Sequence, residues 1–160
     1  MHIPRNFRLG FAWLALCAAL ALHVTDEALT GFLSVYNPTI VAVRARYAWF
    51  PMPTFEFRNW LAGLILAVVV LFALSPFFFR NARWIRPLGH FAAFINVLNA
   101  FGHTAATILG QTVASVPVKR PAPGFYSSPF LFAASVWLLV ELWRSKNRRS
   151  AQAISSLETT

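Results

Sequence analysis

The chain has 160 residues, 58% of them hydrophobic and only 12% charged, whereas soluble domains run near 45–50% and 25%; its mean hydropathy is +0.56. The net charge of +9 comes from 14 Lys and Arg against 5 acids, and the basic residues fall in short clusters between apolar runs, as they do in membrane-protein loops. This pattern argues against nucleic acid as a partner and for the lipid bilayer, while the single Cys17 excludes an internal disulfide.

The first apolar run is clean only from Leu9 to Leu22. A membrane span needs about 20 residues at 1.5 Å rise each. A crossing helix over about 9–34 therefore carries His23, Thr25, Asp26 and Glu27 with it. Two other readings stay open at this point. The helix could end at His23 with its acids among the lipid headgroups. Alternatively, Arg5, Arg8, the apolar core and Ala19-Leu20-Ala21 resemble a secretory signal with a small-residue cleavage site.

The link that follows is rich in Tyr, Trp, Phe and Arg, residues that favour the membrane interface. Pro51 and Pro53 interrupt any single helix there. The segment reads as interfacial or re-entrant, able to lid one end of a bundle over 36–58, or as an ordinary loop with interfacial anchors. Residues 59–79 carry the clearest span signal, with Pro76 near its end and Arg80 stopping it. A third helix is expected over 87–114, more polar because it holds His90, Asn96, Asn99, His103, Thr107 and Gln111. A fourth covers 127–144.

The expected fold class is thus an all-α membrane protein, a four-transmembrane-helix bundle forming one domain over 1–144. The basic tail of 145–160 is expected to be disordered. Nine Lys and Arg lie on the side of the N-terminus, second loop and tail, against five on the other. Positive-inside then places both termini in the cytoplasm, in what is expected to be a bacterial inner membrane.

Ionisable groups at bilayer depth are expensive, from about 2.5 kcal/mol upward each, and tend to mark sites. His23, Asp26 and Glu27 stand at i, i+3 and i+4, one face of a helix. Asn96, Asn99, His103 and Thr107 repeat by three and four, again one face. The first and third spans of a four-helix topology are parallel. His23 lies 14 residues after Leu9 and His103 lies 16 after Pro87, so both sit about 21–24 Å along their helices. The loop Pro121 to Pro129 returns at this same end, where Gly124 can take backbone angles closed to other residues and Tyr126 could drop a phenol into the site.

Three segments, His23-Val24-Thr25-Asp26-Glu27, Asn99-Ala100-Phe101-Gly102-His103 and Pro123-Gly124-Phe125-Tyr126-Ser127, resemble the signature motifs of the HXXEE domain proteins. The resemblance runs from about Leu14 to Trp137 in the expected motif order. It implies a small integral membrane protein suspected of being an enzyme, whose site residues correspond to His23, Asp26, Glu27, Asn99, His103, Gly124 and Tyr126. Asp26 stands where the family pattern has Glu, which shortens the reach by one methylene.

Imidazole and carboxylate together suit one divalent metal such as Zn, Fe or Mn. His23 and Glu27 at i, i+4 can share an ion, with His103 from a facing helix as third ligand. Asn99, Asn96 and Gly124 are candidate substrate contacts, and Glu27, Asp26, His23 and Tyr126 are candidate acid–base groups. The expected function is a metal-dependent or acid–base hydrolase or transferase acting on a lipid-like substrate. No nucleophile elbow is evident; Ser127 and Ser128 are merely near. Buried Asp, Glu and His also mark proton and ion paths, so a small transporter or channel subunit is the alternative. A purely structural reading pairs Asp26 and Glu27 with Arg44 or Arg46.

Overall fold

The computed structural model describes residues 7–158, with side chains through Lys146. Its regular elements are helices: α1 (Arg8–Thr30), α2 (Leu33–Arg46), α3 (Phe57–Ala73), α4 (Ser75–Phe79), α5 (Arg86–Leu109) and α6 (Ser128–Glu158). Three helical stretches, Arg8–Thr30, Phe57–Phe79 and Arg86–Leu109, are long and apolar enough to cross a membrane. Their outer faces are correspondingly apolar. Ile65, Leu66 and Val69 on α3, and Phe91, Leu98 and Phe101 on α5, are all exposed.

Helix boundaries differ from the sequence reading where glycine enters the left-handed region. α1 stops at Thr30 rather than near 34, because Gly31 takes φ +78° and its N–H returns to the Glu27 carbonyl. α5 stops at Leu109 rather than 114, closed by Gly110 at φ +71°. Residues 110–118 then form a small turn with Gln111 opposite Pro117. The link after α1 opens with helix α2, despite Pro38 within it. Its remainder runs back along α2, pinned where the Tyr36 hydroxyl donates to Pro53 O at 3.0 Å and the Asn37 amide pairs with the Phe55 backbone. The tail expected to be disordered continues the helical backbone of α6 through Glu158.

Pro76 has no N–H to give and its ring crowds the preceding turn, so the predicted 59–79 helix is broken at Leu74 between α3 and α4. The break is used. The Trp13 indole N–H donates to the Leu71 carbonyl at 3.0 Å, and the Trp13 ring stacks on Phe78 at 3.8 Å. Phe78 is fully buried and lies against Gly89 of α5, where a β carbon would stand 2.9 Å from its ring. Small residues at helix contacts permit this approach in apolar surroundings. α6 packs on both α5 and α1, with Leu131, Leu138 and Leu142 entering a core shared with Leu9, Trp13 and Leu16. One face of the signal-like stretch, with Leu9, Trp13, Leu16 and Ala19, is therefore core, and His23 follows into the interior.

Candidate metal centre

His23 and Glu27 project from successive turns near the end of α1, and His103 meets them from α5. All three are buried, His23 completely. The two imidazole rings lie 4.8 Å apart, edge to face. Glu27 Oε1 is 3.0 Å from His103 Nε2 and 3.5 Å from His23 Nε2. One ligand atom from each residue falls within 4.8 Å of the other two. A tetrahedral ion with bonds of about 2.0–2.1 Å has donor–donor edges of about 3.3 Å. The two Glu27 edges already bracket that value.

The surrounding hydrogen bonds fix which nitrogen carries a proton. Asp26 Oδ2 accepts from Ser127 N at 2.9 Å and from Ser127 Oγ at 2.8 Å. A serine hydroxyl has one proton. With that proton on the carboxylate, Ser127 Oγ accepts from His23 Nδ1 at 2.8 Å. His23 Nε2 then carries the lone pair, which accepts from the Asn99 amide nitrogen at 3.0 Å with Glu27 Oε1 3.5 Å away. His103 Nε2 lies 3.1 Å from the Asn99 oxygen and 3.0 Å from Glu27 Oε1, so it carries a proton that a metal ion would have to displace. Ser127 stands to His23 as the partner on the other ring nitrogen that ordinarily orients a histidine ligand, whereas Asn99 meets the same Nε2 of each ring that faces Glu27.

The loop before α6 closes the site. Gly124 has φ +79°, and a β carbon there would stand 2.9 Å from His103 Cε1 and 3.0 Å from Glu27 Cγ. Only glycine allows the loop to lie flat on both side chains. The Gly124 N–H bonds Thr30 Oγ1, its carbonyl accepts from Ser128 Oγ, and Thr107 Oγ1 accepts from Ala122 N. The loop is thus tied to α1, α5 and α6 at once.

Beside His103 lies a cavity of about 220 Å³, walled by α2 and α5 and reached by Asn99 and His103. Its polar end is formed by Tyr36, Thr39 and Thr112, with Thr39 and Thr112 sharing a hydrogen bond at 2.9 Å. Burial raises the Tyr36 phenol above its ordinary range, partly offset by Arg44, and its one proton goes to Pro53 O.

Of the residues singled out from the sequence, His23, Glu27, His103, Asn99 and Gly124 converge. Three do not fall as expected. Tyr126 is 65% exposed and packs edge-on to Phe125 rather than entering the site, because the turn through Gly124 sends Ser127 inward instead. Asn96 is buried but donates to Ala92 O on its own helix, one turn short of the cluster. Asp26 faces the start of α6, 100° around α1 from Glu27, and holds Ser127 rather than the imidazoles. Among the described residues neither acid pairs with Arg44 or Arg46. Ser127 is the residue the sequence undervalued. Its one local signal was a serine just before a helix start, which says nothing about His23.

No protein-family model matches the chain, and no curated protein or solved structure is detectably similar to it.

Proposed function

We propose that the chain is an integral membrane enzyme of the HXXEE type, in which His23, Glu27 and His103 hold one divalent metal ion. In this reading α6 is a fourth span beside the three apolar ones, both termini face the cytoplasm, and α2 with its return segment lies in the interface over the site. The observation that carries the proposal is the convergence of three buried ligand atoms, each from a residue type that binds Zn, Fe or Mn. Three protein ligands and an open position are the pattern of catalytic zinc. A bound metal supplies Lewis acidity and an activated water at neutral pH.

The chain's own residues do the rest. Ser127, held by Asp26, keeps the His23 lone pair aimed at the site. Asn99 bridges the two imidazoles and lines the cavity together with His103, placed to orient a substrate carbonyl. Gly124 and its loop exclude water from the α6 side. Hydrolysis of, or transfer from, a lipid-like ester or amide is the chemistry this arrangement serves.

A proton or ion path is less well supported. From Asn96 toward the other end of α5, the buried positions Ala93, Ala92 and Gly89 are without ionisable side chains. A polar route along this helix therefore stops one turn below the site.

Elemental analysis of the purified protein, with His23→Ala and His103→Ala alongside, tests the centre. About one metal per chain, lost in both variants, is expected. A wild-type protein that takes up no divalent metal under any loading condition rules the centre out.

A further inference from the structure

The cavity beside His103 graduates in polarity along its length. Taken in order along α5, its lining runs from Thr112, bonded to Thr39 beyond the helix end, through His103 to Asn99 and Leu98. Position sharpens this gradient. His103 lies six residues before the end of α5 and His23 seven before the end of α1, about 9–10 Å inside the helix ends. Leu98 lies nearly a turn and a half deeper, toward mid-helix. A bilayer lipid has the same order: polar group outside, carbonyl at the boundary, chain within.

The cavity is also small. Pockets for drug-sized ligands measure about 300–1,000 Å³, so 220 Å³ is room for a carbonyl and the first part of one thin chain. The chain can leave sideways. Leu98 is half exposed, and Gly102, the next residue along the same face, is exposed and has nothing within 4 Å of where its β carbon would stand. Gly102 therefore keeps this wall open without any local packing demand on it.

We infer that this cavity takes a single-chain acyl amphiphile, lying parallel to the bilayer lipids with its carbonyl at Asn99 and His103, and that Gly102 admits the chain. This rests on the reading of His23, Glu27 and His103 as the reacting centre.

The test uses palmitic acid bearing a mid-chain diazirine, photolysed with the full-length protein in phosphatidylcholine vesicles, with adducts mapped by mass spectrometry. Labelling is expected on Leu98, Gly102 and Val35, competed by unlabelled palmitate but not by the diacyl lipid of the vesicle. Gly102→Leu should reduce it at least tenfold while metal content stays at the wild-type level. Gly63→Leu, a change at another exposed glycine with nothing within 4 Å, should leave it unaltered. Should Gly102→Leu prove unstable, Val35→Phe fills the cavity from the facing wall. Labelling that survives both substitutions, or that falls instead on the groove lined by Val24, Leu29 and Ile65, overturns the assignment. Because metal is measured separately, loss of labelling with metal retained bears on the cavity alone. Loss of metal from the wild type bears on the centre.

Discussion

Replacing Gly124 by alanine probes the site with one carbon atom. Two effects follow, and they can be separated. The backbone at φ +79° is left-handed, which costs a residue with a β carbon about 1–2 kcal/mol. In a protein of this size that corresponds to roughly 2–8 °C in Tm. The second effect is steric. The new carbon would meet His103 Cε1 at 2.9 Å, and Glu27 Cγ and His103 Nδ1 at 3.0 Å, where ordinary contacts begin at 3.4 Å. The imidazole or the loop must therefore shift by about 0.5 Å, the limit of tolerance for a preorganised constellation. Gly110→Ala supplies the control. Its φ is +71°, so its backbone penalty is the same, but its new carbon meets only the Arg120 side chain, away from the triad. Thermal unfolding of both variants in detergent, with and without added metal, should show matching losses without metal. Metal titration should show affinity weakened about 10–100-fold in Gly124→Ala alone, a loss typical of disturbed ligand support. Equal affinity in the two variants refutes the reading that Gly124 supports a metal centre at His103 and Glu27.

Two further outcomes are expected. Ser127→Ala removes the partner of His23 Nδ1, and metal affinity measured by competition with a chromophoric chelator should fall about 10–100-fold; Ser135→Ala, whose buried hydroxyl bonds only Leu131 O, should change nothing in that assay. Phe78→Ala empties the space between Trp13, Gly89 and Leu142 and should destabilise by about 3–5 kcal/mol, read as a lowered denaturation midpoint, and an unchanged midpoint would show that Phe78 is not the wedge of the core.

Much of the architecture was legible because it is local. Apolar runs and their punctuation marked the long helices, and the shortness of the run from Leu9 to Leu22 forced His23 and Glu27 into α1. Spacing of three and four placed Asn99 and His103 on one face, and counting residues along two parallel helices put them level with His23. Helix ends were less legible. Whether Gly31 and Gly110 would turn left-handed depended on what lay beyond them.

The sequence by itself determined that ionisable side chains would lie inside long apolar helices, because those helices cannot be long enough without them. It also determined which residues share a face, since that follows from 3.6 residues per turn. Only the tertiary structure decided which member of each face meets which. Asp26 and Glu27 are neighbours in sequence, yet one holds the start of α6 and the other meets His103. Tyr126 and Ser127 are neighbours too, yet the serine, not the tyrosine, reaches the site. These choices turn on contacts across about a hundred residues of chain, between His23 and Ser127 or Glu27 and Gly124. No local propensity encodes such a contact; packing of α1, α5 and α6 around a glycine loop selects it.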